Sequence, residues 1–208
     1  MPHPARAVRP ACAGAHPACR GDQRTRRPAP RVGERSEPIL TVSIDVYLIR
    51  HAIAEQRGPA WPDDSKRPLT AEGIARMRRV VRGLAALDVV IDVVFTSPYQ
   101  RARQTADLIA EGLSPRPPVV EVAQLAPSTR IGEMLAALPV RPRQRSIALV
   151  GHEPSMSELA ARLLGTREAV PFKKGAVCCV EVTALPPSTP GTLRWFATPK
   201  ILRKLGDS

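Results

Sequence analysis

From Ser43 onward the apolar positions fall into short runs and helical stripes that alternate along the chain. Ile44-Asp45-Val46-Tyr47-Leu48-Ile49 is short, β-branched and nearly all apolar, which predicts a buried strand over 44–49. Residues 52–68 are polar and broken by Gly58, Pro59, Pro62 and Pro68, so a loop is expected there. Thr70 suits the N-cap of a helix to about residue 87, with Ile74, Met77, Val81, Leu84 and Leu87 on one stripe. Arg76, Arg78, Arg79 and Arg82 surround that stripe and read most simply as a solvated face. A second buried strand is predicted at 89–95, then a helix from Ser97-Pro98 to about Glu111 with the proline at its first position. Further strands are expected at 119–125 and 146–150, with a short helix near 131–138 between them. Pro154 opens a helix carrying Met156, Leu159, Ala160 and Leu163 at i, i+3, i+4, i+7 spacing, and strands at 176–183 and 193–197 complete the pattern. Strands separated by helices of this length predict an α/β fold, with a mostly parallel central sheet between two helical layers.

Composition sets the bounds of that fold. The chain has 208 residues and is 43% hydrophobic, enough for one sizeable core, so a single domain is expected over 42–208. Residues 1–41 are crowded with Pro, Ala and Arg, have neither helical nor strand period, and lack the apolar run of a signal peptide or membrane span. A disordered leader is expected there, and prolines at 2, 4, 10, 17, 28, 30 and 38 oppose an amphipathic targeting helix. One reading is that the natural polypeptide begins near Val42 and that the leader is an over-extended reading frame. Peptides from residues 1–35 in the native protein would refute it.

Charge and cysteines narrow the partners. Lys and Arg number 31 against 19 Asp and Glu, a net charge of +12 that attracts phosphorylated or acidic partners. Aromatic residues are only 3% of the chain, which leaves few platforms for stacking single-stranded nucleic acid, so no nucleic-acid partner is expected, and with no apolar span in the leader no membrane partner is expected either. Cys12 and Cys19 lie in the leader at a spacing that fits no usual zinc pattern, even with His3 and His16 nearby. Adjacent Cys178 and Cys179 should face opposite sides of a strand, which argues against a disulfide framework and for a reducing, cytoplasmic setting.

The candidate chemistry sits where strands end. Arg50 and His51 close the first strand, Arg101 lies near the first turn after the second, and His152 follows the strand ending at Val150. Each has an ordinary structural explanation alone, but parallel strands bring all four to one sheet edge, where ligands bind in open α/β sheets.

Several ordered motifs resemble the histidine phosphatase superfamily, and within it the small SixA-type phosphohistidine phosphatases, over roughly residues 43–205. They are Leu48-Ile49-Arg50-His51-Ala52, Arg67-Pro68-Leu69-Thr70 followed by Gly73, and Thr96-Ser97-Pro98 with Arg101-Ala102-Arg103-Gln104-Thr105-Ala106. Val150-Gly151-His152-Glu153-Pro154 follows, and Lys173-Lys174-Gly175-Ala176, Trp195 and Pro199-Lys200 also resemble that subgroup. The resemblance implies a phosphoglycerate mutase-like three-layer fold, with His51 as nucleophile, Arg50 and Arg101 clamping the phosphoryl group, and His152 beside them as a further substrate-binding and catalytic group. It also implies a covalent phosphohistidine hydrolysed by water, without metal or cofactor. Guanidinium forks suit the equatorial oxygens of a transferring phosphoryl group.

Two departures from larger relatives bear on substrate. Ala52 stands where many members have glycine after Arg-His, and no extended insertion supplies an acid to protonate an alkoxide leaving group. A phosphorylated imidazole needs less such help, so a phosphohistidine protein is the expected substrate. The alternatives are a small-molecule phosphomonoesterase or phosphoglycerate mutase-like enzyme, and a phosphate- or phosphoprotein-binding module without turnover. Glu121, Glu133 and Glu153 are candidate acids, though each reads more simply as a surface or capping carboxylate. A monomer is the default expectation.

Overall fold

A computed structural model describes residues 43–207. The leader expected to be disordered, with Cys12 and Cys19, lies outside the described residues. Within them, β1 (Ile44–Arg50), α1 (Ala71–Ala85), β2 (Val93–Thr96), α2 (Gln100–Gly112) and β3 (Val119–Glu121) are followed by α3 (Ile131–Ala136) and β4 (Ser146–Gly151). Then come α4 (Ser155–Leu164), β5 (Val177–Val182), β6 (Thr192–Ala197) and α5 (Pro199–Leu205).

The six strands form one sheet in the order β3-β2-β4-β1-β5-β6. β1, β2, β3 and β4 run parallel, while β5 pairs antiparallel with both β1 and β6. Side-chain alternation divides the core between the two faces. Tyr47 and Ile49 join Val94, Ala148 and Cys179 beneath α1, α2 and α5, whereas Val46 and Leu48 join Phe95, Leu149 and Cys178 beneath α3 and α4. The two cysteines therefore face opposite sides, as their adjacency predicts. Burial pushes the thiols up to about 11 for Cys178 and about 12 for Cys179, so both stay protonated in the core. The expected stripe on α4 is also buried, with Met156, Leu159 and Leu163 all fully enclosed.

Several boundaries differ from the sequence reading, each for a local reason. The strand predicted at 89–95 begins only at Val93, because Asp88 takes φ 53° and Val89 N–H turns back to the Leu84 carbonyl. Val89 and Ile91 are buried all the same, so their hydrophobicity reports packing rather than strand geometry. Pro98 is not the first helical residue. α2 starts at Gln100 after Tyr99, and Ser97-Pro98-Tyr99 form the turn before it. The run 119–125 divides into β3 and a 3-10 turn over Ala123–Leu125. Leu87 lies beyond α1 and is 44% exposed. α5 was not foreseen, although Thr198 as N-cap with Pro199 at the first position is a recognisable start signal.

Candidate active site

Strand register assembles the site. Arg50 at the end of β1 pairs with Gly151 at the end of β4, and Thr96 at the end of β2 pairs with Val150. His51, Ser97 and His152 are thus the first residues past three adjoining strands. β5 runs the opposite way, so the turn before it reaches the same edge from the other side. Gly175 in that turn, at φ 78°, donates its N–H to the carbonyls of Arg50 (3.0 Å) and His51 (3.2 Å). Only glycine adopts that backbone conformation freely.

His51 is 6% exposed and its Nδ1 lies 2.7 Å from the Ala52 carbonyl oxygen. A carbonyl only accepts, so Nδ1 carries the proton and Nε2 keeps the free lone pair. The His152 ring lies 5.2 Å from the His51 ring, centroid to centroid, and its Nε2 is 2.8 Å from Ser97 Oγ. Tyr99 packs edge-on against His152 and also lies beneath the Arg101 guanidinium, 4.9 Å from ring centroid to Cζ. Arg50 donates from Nη1 to the Phe172 carbonyl at 2.5 Å.

The electrostatics are those of an electropositive pocket. Burial, then the neighbouring His152, hold the His51 pKa down at about 3. Burial and Arg101 hold that of His152 down at about 3. Both imidazoles are therefore neutral near pH 7 in the free protein. Arg50 Nε, Arg101 Nε and His152 Nδ1 are buried and have no hydrogen-bond partner within the protein. Buried polar groups left open in this way are uncommon; the two arginine N–H groups are donors, His152 Nδ1 becomes one when it carries the proton, and together they are suited to an oxyanion.

Asp64 is the residue that sequence reasoning missed. It sits in a 3-10 turn (Asp64–Lys66) within the stretch read as a polar loop. Its backbone carbonyl accepts from Arg101 Nη1 at 2.7 Å and its Oδ2 from Arg101 Nη2 at 3.0 Å, while Oδ1 accepts from Arg57 at 3.1 Å and Arg67 at 2.9 Å. The hydrogen bond from Arg57, supported by Arg67 and Arg101, holds the Asp64 carboxyl well below the usual carboxylate range. Asp64 stays ionised and orients Arg101 rather than serving as an acid.

The remaining motif residues have structural duties. Thr105 Oγ1 accepts from Ala52 N–H at 3.1 Å and donates to the Arg101 carbonyl at 2.7 Å, tying the residue after His51 to α2. Gln104 accepts from Leu69 N–H at 2.7 Å, and Ala102 and Ala106 form part of the buried face of α2. At Gly73 in the first turn of α1, a Cβ would meet the Ile53 carbonyl oxygen at 2.0 Å, so only glycine allows α1 to pack on the segment that follows His51. Among the candidate acids, Glu121 is exposed and paired with Arg103, and Glu133 is exposed. Glu153 is not a surface group. It is half-buried, accepts on Oε2 from Ser157, and has no partner on Oε1. Among the described residues, no group of three or more His, Cys, Asp or Glu side chains could hold a metal ion.

The chain is similar to known proteins in sequence and in fold. The sequence profile of the histidine phosphatase superfamily (branch 1) matches residues 46–126, a stretch that holds Arg50, His51 and Arg101 and ends before His152. An uncharacterised protein of Picosynechococcus is 37% identical over 120 residues, covering 56% of this chain and 71% of the relative. The phosphohistidine phosphatase SixA of Escherichia coli is 27% identical over 158 residues, covering 75% of this chain and 94% of the relative. A solved structure of the protein histidine phosphatase SixA complexed with tungstate superposes with a TM-score of 0.67 at 27% identity, covering 76% of this chain and 99% of that one. The fold is phosphoglycerate mutase-like. The chain belongs to the histidine phosphatase superfamily, as a phosphatase of its SixA-like group.

Proposed function

We propose that this phosphatase removes the phosphoryl group from phosphohistidine in a protein, through a covalent phosphohistidine at His51. The observation that carries the reading is a buried imidazole whose Nδ1 proton is committed to the Ala52 carbonyl, close to Arg50, Arg101 and His152, each of which keeps a buried nitrogen with no partner in the protein.

In the first half-reaction the Nε2 lone pair of His51 forms a bond to phosphorus in line with the scissile P–N bond. The electrons of that bond pass to the substrate imidazole nitrogen, which leaves. Arg50 and Arg101 bind the equatorial oxygens, and the dianion raises the proton affinity of His152 so that the imidazolium adds a charge-assisted hydrogen bond. In the second half-reaction water attacks phosphorus, the bond to His51 breaks, and inorganic phosphate departs. Positive charge from two arginines and one histidine serves the role that a divalent cation plays in other phosphoryl-transfer sites, so the reading requires no metal. The SixA proteins it resembles are described as phosphohistidine phosphatases, which fits this substrate class.

A second reading, ester hydrolysis, draws on Glu153. Its half-buried carboxyl has one unpartnered oxygen and stands near enough to Arg50 to influence it, so it could protonate an alkoxide. A panel of a phosphohistidine peptide and several phosphate monoesters separates the two. The proposal expects kcat/KM for the peptide to exceed that for every ester by at least about a hundredfold, with Glu153→Gln retaining peptide turnover. Ester turnover that dominates and is abolished by Glu153→Gln would establish the second reading instead.

A further inference from the structure

A second cationic cavity adjoins the phosphoryl site without sharing its histidines. It has a volume of about 440 Å³, and Arg50, Arg76, Lys173, Lys174 and Arg203 line it. No carboxylate faces into it, and neither His51, His152 nor Arg101 forms part of its wall. Arg50 is the shared element, with Ala52 next to it, so the cavity begins one side chain away from His51. Met77, Val80 and Pro199 add apolar surface to the same wall. The backbone of the turn carrying Lys173 and Lys174 is anchored to the end of β1 by the Gly175 N–H bonds to Arg50 and His51, which places both lysines next to the nucleophile's strand. Lys174 also feels burial and then Arg50, Arg67 and Arg101, which together lower its proton affinity. Arg76 has an exposed partner in Glu72.

Arg76 is partly neutralised by Glu72, but the other cations have no acidic group in the cavity wall and repel one another, and an anion entering the cavity relieves that repulsion. A single phosphate is much smaller than the space. Aspartate and glutamate side chains match it better, because their methylenes suit the apolar wall and their carboxylates the cations. Resting on the reading of His51 as the nucleophile for a phosphoprotein, we propose that this cavity is the docking subsite for acidic residues flanking the phosphohistidine on the partner protein. It would then select substrates by sequence context while taking no part in the chemistry.

The test uses the full chain and two peptides carrying a stable phosphonate analogue of phosphohistidine, one flanked by glutamates and one by alanines. Fluorescence anisotropy should show the acidic peptide binding at least about tenfold tighter. Lys173→Ala combined with Arg203→Ala should remove that difference while leaving neutral-peptide affinity within about twofold and the thermal melting curve unchanged. Equal affinities in the wild type, or a preference that survives the double substitution, would overturn the inference. So would strong binding of inorganic pyrophosphate, sensitive to the same substitutions, with no peptide preference, since the cavity would then serve a small polyanion. Hydrolysis of authentic phosphohistidine peptides is measured in parallel. Turnover through His51 without charge preference removes only the docking subsite, whereas absence of turnover removes the functional reading while the affinities still decide the cavity.

Discussion

His51 and His152 lie in one pocket with the same depressed basicity but different tethers. His51 is locked into a single tautomer by a backbone carbonyl, whereas His152 meets a hydroxyl that both donates and accepts. The first arrangement preserves a lone pair for attack, and the second allows a proton to come and go as charge on the phosphoryl group changes. Imidazole carbon-proton shifts followed by NMR should therefore stay at their neutral values for both residues from pH 7.5 to 5.5 in the free protein, given pKa values of about 3. Saturating tungstate should bring the His152 titration up into that range. A midpoint near 6.5 for either residue without ligand would contradict the desolvated, electropositive site described.

Among the elements, α2 does most to organise the pocket. Its first turn presents Arg101, and one turn later Thr105 clasps both the Arg101 carbonyl and the Ala52 N–H. Thr105→Val keeps the volume but leaves a buried N–H without its acceptor, at a cost of about 1–3 kcal/mol in stability. Because that N–H belongs to the residue after His51, kcat should fall more than KM rises. Chemical denaturation together with steady-state kinetics checks both, and an unchanged kcat would show that the strut does not position the nucleophile. Much of the architecture was legible in the sequence: apolar spacing located α1 and α4, the Ser97-Pro98 signal pointed to α2 though it begins two residues later at Gln100, and strand-end position grouped Arg50, His51, Arg101 and His152. Asp64 was not legible, because its contact with Arg101 spans 37 residues and joins an irregular turn to a helix, which no periodicity encodes. The start of β2 was misplaced for the complementary reason, since Val89 and Ile91 are apolar to fill the core while their backbone turns.

Over the whole molecule, a net charge of +12 accompanies a site at the carboxyl edge of the sheet where two neutral imidazoles are buried beside two arginines. That arrangement links stability to pH. Between about pH 6.5 and 3 the unfolded chain protonates His51 and His152 while the native chain does not, so the unfolded state binds more protons and stability falls as pH falls through this window. Asp64, whose pKa is depressed from 3.8, adds its own loss only below about pH 4, mostly beneath this window. Each histidine contributes a slope of up to about 1.4 kcal/mol per pH unit. Urea unfolding at pH 7, 6 and 5 should show this decline, and His51→Gln with His152→Gln should flatten it. A decline of equal steepness in the doubly substituted chain would assign it elsewhere.

The central claim is that the imidazole of His51 accepts the phosphoryl group. Rapid quenching into alkali during turnover of a ³²P-labelled phosphohistidine peptide, followed by mass spectrometry of the fragment containing residues 50–52, tests it most directly. An acid-labile phosphate on His51, formed and lost at rates compatible with turnover and absent from His51→Ala, is the predicted result. Full turnover by His51→Ala, or label confined to another residue, would contradict it.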